Sequence, residues 1–339
     1  MRVWFNRTFS SVYTALRLIR EADTEHRFTL IHSNANRHTP AARLAHEFHT
    51  EPTGLDSDAY VDWCMAFCRE QRVDIFVPGR EATTLAAEHA RFADIGTRVL
   101  SAAPAPMLKT VHDKARFYAD TVLPDAPVAA FRRFENIEQF DAAWDELRPH
   151  YKKLCVKPAH GIYGLGFAVV DEVRSSAALL LAGVEYHVGY QDLRRGLSEL
   201  GNFKTMLLME FLDGPEYSVD CVGDHGRLAA AVVRRKLAHA GGGQLIDMRQ
   251  DILDATARLC ADYQMNGVFN AQFREGGGRP RLLEINPRMS GGIGMACLAG
   301  PNLPYIALRG FADGFDNVSI APVTNGMRVA ELSTPTELP

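Results

Sequence analysis

Across the first hundred residues, short apolar runs alternate with longer amphipathic stretches. Arg2, Val3, Trp4 and Phe5 make a brief strand pattern. A polar turn follows, and then a stretch of helical period over 11–22. Residues 28–32 read as a second strand and 59–71 as a helix, with His46 and His49 between them in a helix or its fringe. Residues 74–78 read as a strand opening into Gly79, Arg80 and Glu81, followed by a helix over 83–93; Val99 and Leu100 close the series. Strands alternating with helices predict a parallel, doubly wound sheet. The first turn, 6–11, holds no glycine, so the dinucleotide fingerprint is absent and hydride transfer is disfavoured.

The pattern changes beyond the Ala/Pro-rich stretch 102–106. A helix over 112–120 starts with Asp113 and Lys114. A strand over 153–157 runs into P-A-H-G-I-Y-G-L-G and out through a strand over 167–170. Gly161, Gly164 and Gly166 let backbone N–H groups approach phosphate oxygens, with Lys157 supplying charge at the root of the loop. The loop is not a Walker A, which needs G-K-[ST] entering a helix, and by itself it also reads as a plain hairpin. An apolar strand over 206–211 ends at Glu210, and E-Y-S-V-D-C-V then sets Glu216, Ser218 and Asp220 on one face. A further strand, 228–235, finishes with Arg234, Arg235 and Lys236. After the Gly-rich loop 241–243 comes an amphipathic helix over 249–264, with Asp247 and Gln250 as its capping box and Ile252, Leu259, Cys260 and Tyr263 as its buried stripe.

The last alternating stretches carry the chemistry. V-F-N-A-Q-F-R (268–274) sets Phe269, Ala271 and Phe273 against Asn270 and Gln272. Six residues of turn material, 275–280, lead to L-L-E-I-N-P-R-M-S-G-G (282–292). Glu284 and Asn286 share one face of that strand, Pro287 ends it, and Arg288 enters a loop with Ser290, Gly291 and Gly292. Hard oxygen ligands beside a guanidinium suit a magnesium-bound polyphosphate. Pairing the two strands as a hairpin brings Asn270 or Gln272 near Glu284 and Asn286, although a sheet with one solvated face has the same pattern.

Composition narrows the class. A chain of 339 residues with 47% apolar and 23% charged positions makes two or three ordinary structural units. Its formal charge of −4 argues against a nucleic-acid coat. Residues 1–20 are interrupted by Arg2, Asn6, Arg7 and Arg17, and the longest apolar run, 177–184, is far short of a membrane span. The expectation is a cytoplasmic protein with no membrane or nucleic-acid partner. Six cysteines are scattered; Cys64 and Cys68, at i and i+4, suit core packing rather than zinc.

Taken in order, these segments resemble the ATP-grasp superfamily: an α/β pre-domain, the Asp113-Lys114 helix, K-P-x-x-G-x-x-G-x-G, M-E-F-L-D-G-P-E-Y-S-V-D, N-A-Q-F and L-L-E-I-N-P-R-x-S-G-G. The later motifs look most like carbamoyl-phosphate synthase domains and single-chain carboxylate–amine ligases. The resemblance implies an α/β chain, α+β in its C-terminal half. It would have a Rossmann-like pre-ATP-grasp domain (1–105), a central subdomain with the glycine-loop flap (106–205) and a C-terminal Mg/ATP subdomain (206–339). Lys114 and Lys157, with the flap glycines Gly161, Gly164 and Gly166, would face the phosphates. Glu210, Phe211 and Leu212 would line adenine, and Glu216 would take the ribose hydroxyls. Gln272, Glu284 and Asn286 would hold two Mg2+ ions, with Mn2+ able to substitute. As catalytic residues, Arg288 would stabilise charge as the γ-phosphoryl group leaves, and Lys236 and Arg234 would guard the triphosphate or the acyl-phosphate. Arg80, Glu81, Gly291 and Gly292 are the candidates for substrate contact. The implied activity is amide formation from a small-molecule carboxylate and an amine through an acyl-phosphate, releasing ADP and phosphate, in a chain that dimerises as such proteins commonly do. A carboxylate or carbamate kinase and a non-catalytic nucleotide-binding subunit are the alternatives. Two features depart from the pattern: Ile162 and Tyr163 make the flap bulky, and no glutaminase or second synthetase half is visible in these residues, so a full carbamoyl-phosphate synthase is not expected.

Overall fold

The computed structural model describes residues 1–7, 11–161, 165–237, 243–333, 335 and 337–338. They form two compact units. The first comprises Met1–Lys109, Pro215–Phe273 and Glu284–Pro339; the second comprises Thr110–Gly214 and Arg274–Leu283.

The first unit opens with β1 (Arg2–Phe5), α1 (Val12–Ala22), β2 (Thr29–Asn34) and β3 (Glu47–Thr50). Then come α2 (Ser57–Gln71), β4 (Ile75–Val77), α3 (Ala82–Ala87), α4 (His89–Ala93) and β5 (Arg98–Val99). The strands form a parallel sheet in the order β3-β2-β1-β4-β5. The chain steps outward from β1 to one side and then returns to build the other, so β1 and β4 flank the point where strand order reverses. Trp4, wholly buried, stacks on Phe76 at 4.1 Å and packs against Phe67 of α2. Cys64 and Cys68 lie in that same core.

Two expectations fail in this region. His49 lies on β3 and His46 just before it, not in a helix, because E-F-H-T pairs in register with β2. The helix expected over 83–93 is broken at Glu88 into α3 and α4.

Helix α5 (Ala105–His112) begins inside the Ala/Pro stretch, and α6 (Lys114–Asp120) follows; Asp113 caps α6 by accepting from Ala115 N and Arg116 N. The helix expected over 112–120, starting with Asp113 and Lys114, is α6 with Asp113 as its cap, while α5 before it was not expected. The second unit continues with β6 (Phe131–Phe134), α7 (Ile137–Leu147), β7 (Leu154–Pro158) and β8 (Ala168–Asp171). It ends with α8 (Ser176–Leu181), β9 (His187–Gly189), α9 (Tyr190–Leu200) and β10 (Met206–Glu210). Its sheet runs β6-β10-β7-β8-β9. Phe134, Phe140, Trp144 and Leu208 anchor the core under it.

The chain then returns to the first unit with β11 (Glu216–Asp224), β12 (Arg227–Lys236), β13 (Gln244–Ile246) and α10 (Gln250–Asp262). It closes with β14 (Gly267–Gly276), β15 (Arg279–Asn286), α11 (Ile293–Cys297), α12 (Leu303–Asp313) and β16 (Arg328–Val329), the stretch Arg274–Leu283 of β14 and β15 being counted with the second unit. This sheet has the order β15-β14-β11-β12-β13-β16. The buried stripe of α10 is as expected, but its capping box does not form. Arg249 is the N-cap, and Asp247 instead accepts from Arg235 Nε at 2.9 Å. The turn between β14 and β15 is also shorter than six residues. Gly277 and Gly278, with φ of +61° and +78°, make the whole connection, a conformation glycine adopts without strain.

Candidate active site

In the first unit, β11 and β12 pair antiparallel with Ser218 opposite Arg234. Side chains two apart on a strand share a face, so Ser218, Asp220 and Arg234 converge. All three are buried, with Arg234 only 2% exposed. The Arg234 guanidinium donates Nε to Asp220 at 2.8 Å and Nη2 to Asp220 at 2.7 Å, to Ser218 at 3.2 Å and to Ser290 at 3.1 Å. Its Nη1 donates to Gln244. Gly292 lies flat over this group: a Cβ there would sit 2.5 Å from Arg234 Nη1 and 2.8 Å from Cζ. Buried charge persists only when paired and fully hydrogen-bonded, and this guanidinium is both.

Asn270 of β14 extends the network and is itself wholly buried, although the sequence set it on a polar face. Its Nδ2 donates to Ser218 Oγ at 2.9 Å, Val219 O at 3.0 Å and Asp220 Oδ1 at 3.1 Å. Its Oδ1 accepts from Gln272 Nε2 at 3.2 Å. On β15, Asn286 Nδ2 donates to Glu284 Oε1 at 3.0 Å. Both Gln272 and Asn286 therefore commit their amide nitrogens to protein acceptors and keep carbonyl oxygens for other partners. Those oxygens and the Glu284 carboxylate are the hard donors a magnesium ion takes. Among the described residues no cluster of three or more His, Cys, Asp or Glu forms a metal centre. The set here differs in kind, with one carboxylate and two amides.

Pro287 ends β15 as expected, and Arg288 Nη1 donates to Met289 O at 3.1 Å. Met289 packs against the core that holds Phe5, with Val77 alongside, and its carbonyl accepts from Ser11 Oγ at 3.4 Å. The Arg288 loop is thus seated at the carboxyl ends of β1 and β4, where open parallel sheets bind ligands. Arg80 lies there too. Its guanidinium covers the Tyr60 ring at 4.3 Å, while its N–H donates to Arg7 O at 2.7 Å and its carbonyl accepts from buried Asn6 at 3.1 Å. Tyr60 in turn donates to Glu51, which is 2% exposed, at 3.1 Å. Glu81 stands at φ 55° before α3 and accepts from Ser57 Oγ at 2.9 Å. Gly291 is exposed with open space where a Cβ would be. Lys236 and Glu216, given separate roles by the sequence, are joined in an ion pair.

The second unit carries the other candidates. Lys157 of β7 donates to Tyr118 OH at 2.6 Å, with its ammonium 4.8 Å from the centre of that ring; the Tyr118 hydroxyl in turn donates to Leu283 O. Lys114 donates to Gly161 O at 2.8 Å. Gly166 has φ +79°, and a Cβ there would lie 2.8 Å from Pro158 Cγ, so only glycine fits. Gly164, with Ile162 and Tyr163, lies outside the described residues.

After β10, Phe211 N donates to Lys153 O at 3.0 Å, and the Phe211 ring faces Arg274 at 5.5 Å and Lys153 at 6.0 Å. Leu212 is 4% exposed, and among the described residues no hydrogen bond uses its N–H. Glu210 accepts from Ala130 N through Oε2 at 3.5 Å. Cys155 lies 3.9 Å from Glu210 O, and burial pushes its thiol up to about 12, far from thiolate chemistry.

Sequence reasoning missed Tyr118, Ser290 and Asp220 as partners of the candidate residues. The i+2 spacing of Ser218 and Asp220 was the only available signal, and it cannot say which strand lies opposite.

Comparison with known proteins shows what the chain is similar to. Residues 202–335 match the family model described as ATP-grasp in the biosynthetic pathway with Ter operon. Over 104 residues the chain is 38% identical to carnosine synthase 1 of Mus musculus, covering 27% of this chain and 13% of that protein. The chain thus spans about an eighth of the length of that curated relative. The fold is similar to the ADP complex of N5-carboxyaminoimidazole ribonucleotide synthetase, with a TM-score of 0.67 and 14% identity over 96% of this chain and 80% of that one. It is also similar to the L-amino acid ligase of Bacillus licheniformis, with a TM-score of 0.60 and 13% identity over 91% and 73% of the two chains. Residues 202–335 are thus similar to an ATP-grasp domain, and the fold as a whole is similar to those of that synthetase and that ligase.

Proposed function

We propose that the chain is an ATP-dependent carboxylate–amine ligase that forms an amide through an acyl-phosphate and releases ADP and phosphate. The observation that carries this reading is the donor set of the first unit. The amide nitrogens of Gln272 and Asn286 are tied to Asn270 and Glu284, so each amide turns its carbonyl oxygen the other way, on strands that also carry the Glu284 carboxylate. That chemistry suits a magnesium nucleotide. Gln272, Glu284 and Asn286 would hold the cation, with two ions expected and Mn2+ able to replace Mg2+; when bound, these ions supply Lewis-acid charge for the phosphate oxygens.

The chain's own residues do the rest. Lys114 and Lys157 neutralise phosphate charge, and Tyr118 keeps the Lys157 ammonium from swinging away. The buried Leu212 N–H is an amide donor suited to a ring nitrogen of adenine, and the Phe211 ring supplies an apolar wall. Glu216 takes ribose hydroxyls, which requires Lys236 to release it and makes that ammonium available to the phosphates. A carboxylate resists attack by amines because its charge is delocalised. Phosphorylating one of its oxygens converts that oxygen into a leaving group. Arg288 stabilises the charge that spreads over the transferring group, a task of positioning rather than covalent chemistry. The amine then attacks the acyl carbon, and phosphate leaves carrying that carboxylate oxygen.

Arg80, held flat on Tyr60 at the crevice, offers a planar fork suited to a carboxylate of the substrate, with Glu81 and the Gly291–Gly292 backbone as further contacts. The substrates are a small-molecule carboxylate and amine, and a homodimer is the expected assembly. Among the described residues no helix is long and apolar enough to cross a membrane.

Phosphorus NMR of Mg-ATP with pooled carboxylates, with and without pooled amines, tests the reading. ADP and phosphate formed only with both pools support it. ADP formed with carboxylates alone supports a kinase instead.

A further inference from the structure

Gln272 is an ambiguous residue to offer a cation. One end of its amide is an oxygen that coordinates; the other is an NH2 that repels positive charge. Something must decide which end faces outward, and the buried network contains an unbroken chain of donors and acceptors that does so. Asp220 is ionically fixed to Arg234 through Oδ2 at 2.7 Å, and both are essentially without solvent exposure. Its other oxygen can only accept, as can Val219 O, and both face the Asn270 amide at 3.1 and 3.0 Å. The nitrogen of Asn270 must therefore point at them. That turns Asn270 Oδ1, which can also only accept, toward Gln272 at 3.2 Å. Gln272 answers with its nitrogen, and its carbonyl oxygen is left on the opposite side. Ser218 ties the two halves together by accepting from both Arg234 and Asn270.

We infer that Asp220, Arg234 and Asn270 are positioning residues that set the side-chain amide of Gln272, so that its oxygen and not its nitrogen is presented to a divalent cation. The inference rests on the reading of Gln272 as a metal ligand above and goes beyond it. It also gives Arg234 a different task from contact with phosphate: the guanidinium is enclosed by Asp220, Ser218, Gln244, Ser290 and Gly292. A second consequence concerns the same residue. Ser290 and Gly292 belong to the Arg288 loop, so one buried cation braces both the Gln272 ligand and that loop.

The discriminating variant is Gln272→Glu. If only charge mattered, an added carboxylate would tighten divalent-cation binding. In the network, the substituted carboxylate has no hydrogen for Asn270 Oδ1, and Asn270 cannot turn without presenting its oxygen to Asp220 and Val219 O. The new carboxylate is repelled from the position where Gln272 is held, and binding weakens.

The probe is Mn2+, followed by electron paramagnetic resonance in the presence of saturating ADP, with ADP affinity measured separately in EDTA. The expected result is that Gln272→Glu binds Mn2+ about tenfold more weakly than wild type at unchanged ADP affinity, the low end for loss of an outer-shell partner. Asn270→Leu shows the same loss where its circular dichroism and melting curve confirm folding. Because Gln272 is only partly buried, the Gln272→Glu variant decides the matter even if Asn270→Leu fails to fold. Equal or tighter Mn2+ binding by Gln272→Glu overturns the inference, and so does unchanged binding by folded Asn270→Leu. A wild type that binds ADP and retains no Mn2+ overturns the metal reading and this inference together. A wild type that binds no ADP overturns the nucleotide reading from which both descend.

Discussion

A guanidinium matters in phosphoryl transfer only if it is placed where charge develops, and Arg288 sits in a loop that Met289 anchors to the core at the ends of β1 and β4. Replacing it with alanine is expected to lower kcat about 10²–10³-fold, the range for losing one preorganised charge-stabilising donor, with little change in ADP affinity. Steady-state kinetics beside nucleotide titration checks the split. A parallel loss of ADP binding would place Arg288 in the ground-state contacts instead.

His32 gives a second prediction at this scale, unconnected with the site. It is wholly buried, donates Nδ1–H to Phe5 O at 2.9 Å, and leaves Nε2 without a partner among the described residues, as suits the neutral ring. Burial holds its pKa below the ordinary 6.5. The unfolded chain therefore takes up a proton that the folded chain refuses. The stability is intact above about pH 6.5 and falls as the pH drops below it. Urea unfolding of wild type and His32→Gln at about pH 7.5 and about pH 5.5, on either side of the ordinary histidine range, should show the larger loss in wild type. An equal loss in both would assign acid sensitivity elsewhere.

At the scale of elements, the sheet of β11, β12, β14 and β15 is where prediction succeeded most and missed most. Strand alternation and Pro287 made the Glu284–Asn286 face readable, because period two and a missing N–H are local facts. The burial of Asn270 was not readable because it depends on β11, whose Ser218 and Asp220 meet it from far along the chain. Long-range pairing also explains the lost capping box: Asp247 is drawn to Arg235 of β12. The short strand β3 was missed since four residues with no apolar run carry almost no periodic signal.

Two variants test this layer. Arg234→Met leaves Asp220 buried and unpaired, and is expected to cost about 3–5 kcal/mol, the usual result of removing one partner from a buried pair; denaturant titration measures it, and a loss below about 1 kcal/mol would mean the pair is not structurally important. Gly292→Ala drives a methyl to within 2.5 Å of Arg234 Nη1, so the 288–292 loop must shift. Its turnover should fall more than its stability, and full activity would show that the loop tolerates movement.

At the scale of the whole molecule, the order of motifs along the chain was the most readable feature. No single segment identifies an ATP-grasp protein, yet their succession anticipates both the family match over 202–335 and the fold likeness over 96% of the chain. The parallel sheet was equally readable, since strand–helix alternation admits few other arrangements. Arg80 illustrates what was not. The sequence places it after a strand, but its stacking on Tyr60 and the Asn6–Glu51–Tyr60 network beneath it come from three separated segments. The identity of the substrates is likewise a matter of pocket chemistry, which no motif encodes.

The central claim is that a carboxylate is activated as an acyl-phosphate before an amine displaces phosphate. Pooled carboxylates labelled with oxygen-18, incubated with Mg-ATP, pooled amines and the protein, test it most directly through the phosphorus NMR shift of the phosphate formed. Phosphate carrying one labelled oxygen, formed together with ADP and only when amines are present, is the predicted result. Unlabelled phosphate, or AMP and pyrophosphate in place of ADP, would contradict it.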